Sequence, residues 1–119
     1  MVSQDVFDLL AKLPVSRSGD RALRCSTNVG ATIALAGSHD RPFEVHAKNI
    51  SRTGILLRYV GVLPAVWAIG ASVELVIEPD PRYFKQQVTC CGTIRRLMPE
   101  QRSPEPAVLI ACLFSKRDA

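Results

Sequence analysis

The stretch that decides the fold is FEVHAKNISRTGILLRYV, residues 43–60. In its first part Phe43, Val45 and Ala47 alternate with polar residues, which is the period-two pattern of a strand with one buried face. A polar turn, residues 49–54, separates this part from a second apolar run, residues 55–62. The pattern therefore predicts two consecutive strands joined by a short turn.

Similar patterns occur on both sides of this stretch. Residues 23–35 alternate loosely, and residues 37–42 contain the Gly, Asp and Pro that are typical of a hairpin loop. Three later segments with turn residues between them also have strand patterns: residues 73–78, 83–97 and 107–114. Because no long helical pattern separates the strands, the sequence predicts an all-β fold, an antiparallel sandwich or barrel of about six strands.

The N-terminal residues have a different pattern. Ser3 can cap a short helix that ends before Pro14. The apolar face of this helix would consist of Val6, Phe7, Leu9, Leu10 and Leu13. Residues 15–20 contain Ser, Gly and Arg without apolar periodicity and are predicted to be a loop. We therefore expect an N-terminal helical segment, residues 1–14, and one β domain, residues 15–119.

Composition places the chain among ordinary globular proteins. Apolar residues make up 47% of its 119 residues and charged residues 22%, which is typical of a folded domain. We find neither a secretory signal nor an apolar run of membrane-spanning length, so we expect a cytoplasmic protein without membrane insertion. The four cysteines, which are predicted to be small buried thiols, are Cys25, Cys90, Cys91 and Cys112.

The sequence contains no recognisable catalytic or metal-binding motif. The two histidines, His39 and His46, lie in a predicted loop and a predicted strand, and no motif joins either to a nucleophile. Neither has the spacing of a metal ligand, and adjacent Cys90 and Cys91 would point to opposite faces of a strand. We therefore predict a protein that is not an enzyme and has neither a metal nor a cofactor.

Two polar clusters indicate an anionic ligand. Arg17, Arg21 and Arg24 lie within eight residues, and their forked guanidinium groups could pair with phosphate oxygens, in a chain of net charge +4. The turn at residues 49–54 offers Asn and Ser side chains, and Gly54 permits close approach. A solvated basic loop and an ordinary turn are the alternatives for each cluster alone. An antiparallel hairpin would bring both clusters to one end of the sheet.

These residues resemble the two motifs of the PilZ domain family, bacterial receptors for cyclic di-GMP. Residues 17–21, RSGDR, match Arg-x-x-x-Arg, and residues 49–54, NISRTG, match Asp/Asn-x-Ser-x-x-Gly. The resemblance covers residues 15–114 and implies a six- or seven-stranded antiparallel β-barrel. It implies that cyclic di-GMP is bound by Arg17, Arg21, Arg24, Asn49, Ser51 and Gly54. Which two of the three arginines form the motif pair is left open.

The resemblance also implies a function. A stand-alone PilZ protein would bind cyclic di-GMP, change conformation and signal to a protein partner. The first alternative is a PilZ-like adaptor that binds no nucleotide and docks through Leu56, Tyr59 and Val60. A less favoured alternative is a single-stranded nucleic-acid binder, since few aromatic residues lie among the cations. The aromatic residues that could stack on bases are more typical of a core; they are Trp67, Tyr59, Tyr83 and Phe84.

Overall fold

A computed structural model describes residues 4–5, 25–51, 53–82, 85–100 and 104–115 of the chain. All regular structure in these residues is β. The seven strands are β1 Gln4–Asp5, β2 Cys25–Leu35, β3 Phe43–Ile50, β4 Gly54–Val60, β5 Ser72–Ile77, β6 Val88–Pro99 and β7 Ala107–Phe114. None of the described residues belongs to a helix that is long and apolar enough to cross a membrane.

Six of the strands form a closed antiparallel barrel. They follow the order β6-β5-β2-β3-β4-β7, and the pairing of β7 with β6 closes the ring. Closure pairs the two outer strands with each other, which removes the open edges of the sheet. The short β1 adds a parallel pairing to β6, at Gln4–Val88 and Asp5–Thr89. The predicted all-β fold and antiparallel barrel are confirmed.

The N-terminal segment differs from the prediction where the structure describes it. Gln4 and Asp5, which fall within the expected helical segment 1–14, form β1 instead. The cause lies in the backbone of β6. The pairing of β7 with β6 covers only Gly92 and later residues, so on the β7 side of β6 the backbone groups of Val88 and Thr89 can bond to another strand. The remainder of the predicted helix lies outside the described residues.

One strand begins later than its pattern predicts. β6 starts at Val88, whereas alternation indicated residue 83. Lys85 and Gln86 are exposed and lie in a bend, and the Gln87 side-chain amide donates a hydrogen bond to Glu78 Oε1 at 3.1 Å. These polar residues have no apolar face to bury, so the regular ladder begins at the fully buried Val88.

The barrel interior is filled by aliphatic side chains from alternate positions of the strands. In β5, for example, Val73, Leu75 and Ile77 are buried, whereas Ser72 and Glu74 are exposed. Burying one such side chain contributes roughly 1.5–3 kcal/mol. The largest fully buried residues are Ile33, Ile50, Ile55, Leu57, Leu75, Ile77, Ile94, Ile110, Val73 and Val88.

The cysteines divide between the core and the surface. Cys90 and Cys112 are buried, and burial raises the pKa of each thiol to about 12, so both stay protonated at neutral pH. The expectation of a buried thiol is wrong for Cys91, which is exposed. The reason is strand geometry, because consecutive side chains of β6 point to opposite faces. The side chain of Cys25 lies outside the described residues.

The two ends of the barrel are different in chemistry. We call the end with the β3–β4 turn, residues 49–54, the turn end, and the opposite end, with residues 61–71, the apolar end. The apolar segment, GVLPAVWAIGA, has no charged, hydroxyl or amide side chain. Val62 and Ile69 are 77% and 67% exposed.

Aromatic rings pack together beneath the apolar segment. Trp67 is buried and stacks on Phe43, with ring centroids 5.0 Å apart, and Phe43 stacks on Tyr59 at 5.1 Å. The expectation of a core position is confirmed for Trp67, whereas Tyr59 is half-buried and packs against the core. Tyr83 and Phe84 lie outside the described residues. Of the other two residues in the docking patch of the alternative adaptor, Leu56 is half-buried and Val60 is exposed.

Candidate functional site

The β3–β4 turn is shaped by the side chain of Ser51. Ser51 is 3% exposed, and its hydroxyl accepts hydrogen bonds from the N–H groups of Thr53 and Gly54, both at 3.3 Å. The N–H of Ser51 also donates to the Gly54 carbonyl at 2.9 Å. Ser side chains commonly satisfy turn backbone in this way. In this structure the motif serine therefore fixes the shape of the turn.

Gly54 allows β4 to approach β7 closely. It pairs with Leu113, and a Cβ atom at this position would collide with the backbone carbonyl oxygen of Cys112. The neighbouring Thr53 carbonyl accepts a hydrogen bond from the N–H of Phe114 at 2.9 Å. The turn is therefore bonded to the strand that closes the barrel, and only glycine fits at its last position.

Asn49 lies at a distorted place in the β2–β3 ladder. It is half-buried and pairs with Ser26 of β2, next to the step from Ala47 to Asn49 at which both the β2–β3 and the β3–β4 ladders shift register. The buried hydroxyl of Thr27 donates to the Ala47 carbonyl at 2.8 Å and so holds the distorted backbone from inside. Bulges of this kind redirect side chains and are frequent beside binding sites.

Sequence reasoning missed an ion pair at the same end of the barrel. Asp80 follows β5 and is 3% exposed, and Arg82 Nε and Nη2 donate to its two carboxylate oxygens at 3.1 and 2.8 Å. Arg82 Nη2 also donates to the carbonyl of Ser26 at 3.2 Å. Since Ser26 is opposite Asn49, this pair lies beside the motif turn.

The chemistry of the pair follows from its hydrogen bonds. The side-chain hydrogen bond from Arg82 lowers the pKa of Asp80, against the opposing effect of burial. The N–H of Arg82 adds a third bond to the Asp80 carboxylate at 3.1 Å, as in an Asx turn. In the sequence, the Asp-Pro-Arg spacing was the available signal, but residues 79–81 indicated only the end of a strand.

The turn end thus brings together some of the predicted ligand-binding residues. Asn49 near the end of β3, Ser51 in the β3–β4 turn and Gly54 at the start of β4 lie together. Arg82 is beside them, bonded to the carbonyl of Ser26. The other predicted binding residues, Arg17, Arg21 and Arg24, lie outside the described residues. Within the described part of the chain, no group of three or more His, Cys, Asp or Glu residues could hold a metal ion.

A shallow groove of about 410 Å³ lies elsewhere, on the outer face of the barrel. It crosses β2, β3 and β4, and Gly30, Glu44, His46 and Arg58 are among the residues that line it. The motif residues Asn49, Ser51 and Gly54 do not line this groove. It is therefore a surface feature separate from the candidate site.

The fold of the chain is similar to that of PilZ domains. No protein-family model matches its sequence, and no curated protein matches it either. Solved structures do match. The PilZ domain of YcgR from Escherichia coli, solved with c-di-GMP, superposes with a TM-score of 0.63 at 10% identity, over 79% of this chain and 76% of that one.

Two longer proteins contain the same fold. The Bacillus subtilis inhibitor of motility, MotI/DgrA, matches with a TM-score of 0.63 at 19% identity, over 88% of this chain and 45% of that one. The MrkH–c-di-GMP complex of K. pneumonia matches with a TM-score of 0.63 at 14% identity, over 82% of this chain and 45% of that one. The chain spans less than half the length of both proteins. At such identities the likeness establishes the fold.

Proposed function

We propose that this protein is a non-enzymatic receptor that binds cyclic di-GMP at the turn end of its barrel. The observation that carries this proposal is the motif turn, residues 49–54, built at one end of a PilZ-like barrel whose structural relatives include c-di-GMP complexes. We further propose a bacterial cytoplasmic location, where an exposed thiol such as Cys91 stays reduced.

Chain connectivity supports the participation of the N-terminal arginines. Arg24 directly precedes Cys25, which pairs with Ile50 at the turn end. Because a chain spans at most about 3.6 Å per residue, the Cα of Arg21 lies within about 14 Å of that of Cys25, and the Cα of Arg17 within about 29 Å. These cations are therefore within reach of a ligand that contacts Asn49.

The residue types suit the ligand. Cyclic di-GMP presents two phosphates and two guanines, and a guanidinium group can bind either bidentately or lie flat on a purine. The Asn49 amide offers both a donor and an acceptor for a base edge. We assign the phosphate and guanine contacts to Arg17, Arg21 and Arg24, and a polar contact to Asn49, which lies near the end of β3 beside the turn that Ser51 and Gly54 shape.

The output of such a receptor is conformational. Residues 6–24 connect β1 to β2, and contact of Arg17 and Arg21 with a ligand would reposition this segment against the barrel. A changed surface there would alter the affinity for a protein partner. Amide exchange tests this step, because ligand should raise protection in residues 6–24; unchanged protection would contradict it.

Calorimetric titration of cyclic di-GMP into the purified protein tests binding. We expect saturable binding that rejects the linear GMP dinucleotide and is lost in Arg21→Ala. Arg95→Ala is the matched control, because Arg95 is exposed on β6 and follows Ile94, which bonds to the apolar segment. Chromatography of the recovered ligand should show it unchanged. Absence of binding by the folded protein would contradict the proposal.

One observation favours the alternative adaptor. Val62, Val66 and Ile69 are all more than half exposed, and exposed aliphatic clusters are typical of protein interfaces. The nucleic-acid alternative has no such support. A single-strand binder presents aromatic rings on its surface for bases to stack on, whereas the described rings of Phe43, Tyr59 and Trp67 stack on one another. A folded protein that binds no cyclic di-GMP would favour the adaptor.

A further inference from the structure

We propose that Arg82 is a further ligand-binding residue, whose guanidinium plane stacks on a guanine base of the ligand. This inference rests on the proposed function and deepens it. It starts from the position of Arg82, which bonds to the carbonyl of Ser26, the residue opposite Asn49. Arg82 belongs to neither of the two sequence motifs.

The guanidinium of Arg82 is held along one edge. Nε and Nη2 donate to the two oxygens of Asp80, and Nη2 also donates to Ser26. Asp80 is itself almost fully buried and receives a third bond from the backbone of Arg82. Such a bidentate pair fixes the plane of the group before any ligand arrives, which lowers the entropic cost of binding.

Much of the Arg82 side chain is exposed to solvent. The Arg82 side chain is 62% exposed, whereas that of Asp80 is 4% exposed. The Asp80 carboxylate accepts hydrogen bonds from Nε and Nη2 and balances the positive charge of Arg82. Arg82 is therefore poorly suited to bind a phosphate. A flat guanidinium face is, by contrast, a favourable surface for a purine ring. The geometry therefore favours a base over a phosphate as its partner.

Asp80 acts in this arrangement as a positioning residue. Its two carboxylate oxygens accept hydrogen bonds from Arg82 Nε and Nη2, and its side chain is buried whereas that of Arg82 is exposed. Replacing Asp80 with Asn keeps the size of the side chain but weakens the bidentate bond. The Asp80→Asn variant should therefore bind more weakly than the wild type because Arg82 is no longer fixed in one plane.

The test is a titration of cyclic di-GMP into the wild type, Arg82→Ala and Arg82→Lys, with Arg95→Ala as the control. Stacking on a base predicts an approximately tenfold weaker Kd in Arg82→Ala, within the range of such stacks. Arg82→Lys should be weakened as much, because an ammonium group has no planar face. In Arg82→Lys, which keeps a positive charge beside Asp80, the loss should be the same at low and high salt, because this variant removes the planar face and not the charge. Arg95→Ala should bind like the wild type.

Different failures have different meanings. If the wild type binds and Arg82→Ala binds equally well, the inference about Arg82 is wrong and the proposed function stands. Full affinity in Arg82→Lys, or a loss that shrinks at high salt, would indicate a phosphate contact and overturn stacking. If the folded wild type binds no cyclic di-GMP, the proposed function and this inference fail together. Thermal unfolding of each variant confirms that the barrel is intact.

Discussion

The turn end and the apolar end of the barrel are joined by the same strands, but they are stabilised by different interactions. At the turn end, buried polar groups such as the Ser51 hydroxyl and the Asp80 carboxylate are satisfied by specific hydrogen bonds. At the apolar end, stacked rings lie under a connection without charged side chains, and the backbone is bonded at Gly70 and Trp67.

This difference predicts which substitutions affect binding and which affect only stability. A hydrogen bond is directional, so changes at the turn end should alter both the shape of the site and the stability of the barrel. Apolar packing is less directional, so changes at the apolar end should lower stability and leave the site intact. Four substitutions, from the largest expected effect to the smallest, test this separation.

Gly54→Ala should have the largest effect. The added methyl group would collide with the backbone carbonyl of Cys112, so β4 and β7 must separate or the turn must move. We expect a loss of more than about 3 kcal/mol in the free energy of unfolding, measured with denaturant. Gly30→Ala is the matched control, because a Cβ at Gly30 meets nothing within 4 Å. Equal stability of the two variants would contradict the close approach.

Trp67→Ala should destabilise the barrel by about 3 kcal/mol, because it removes a buried ring that stacks on Phe43. Binding of cyclic di-GMP to the folded fraction should stay unchanged, since Trp67 lies at the end opposite the site. Ile69→Ser, in the same connection but 67% exposed, should change stability by less than about 0.5 kcal/mol. Weakened binding by folded Trp67→Ala would show that the two ends are coupled.

Ser51→Ala should cost about 1–2 kcal/mol, because the N–H groups of Thr53 and Gly54 lose their buried acceptor. Cyclic di-GMP binding should weaken too, since the turn changes shape beside Asn49. Ser38→Ala is the control, because the Ser38 hydroxyl accepts a similar hydrogen bond from the backbone N–H of Asp40, but this bond is exposed to solvent. Thermal unfolding and calorimetry on both variants measure the two effects. Normal binding in Ser51→Ala would place the turn outside the site.

Asp80→Asn should have the smallest effect on stability, at most about 1 kcal/mol at pH 7. The Arg82 side chain is largely exposed, so solvent screens its attraction to Asp80. The pKa of Asp80 is lowered from 3.8, so its stabilisation is complete above about pH 4 and is lost as pH falls through the lowered pKa. Denaturant midpoints at pH 7 and pH 2 should therefore differ more for the wild type than for Asp80→Asn. Asp40→Asn, in an exposed loop, should keep the wild-type difference.

The parts of the molecule that sequence predicted are those determined by local patterns. Alternation in residues 43–60 correctly indicated β3, the turn and β4, because one buried face imposes a period of two. The core position of Trp67 agrees with the general preference of aromatic residues in a β domain for the core. The motif turn was found because its residues are consecutive.

The parts that sequence did not predict depend on contacts between distant residues. The pairing of Arg82 with Ser26 joins positions 56 residues apart, and no local pattern encodes it. Gln4 joined β6 because the late start of the β7 pairing left backbone groups available there, a consequence of register. The exposure of Cys91 is an exception, because it follows from the local alternation of side chains along β6, in which the neighbouring Cys90 is buried.

The pairing of β1 with β6 has a consequence for ligand affinity. The connection that contains Arg17, Arg21 and Arg24 is attached to the barrel at both ends, at Asp5 and at Cys25. The entropic cost of bringing these two ends together is therefore part of folding and does not oppose ligand binding. In the proposed receptor, this attachment would give the arginines a higher effective concentration around the ligand than those of a tail attached at one end would have. For the proposed receptor we therefore expect that loss of the two-residue β1 pairing weakens binding without removing any ligand contact.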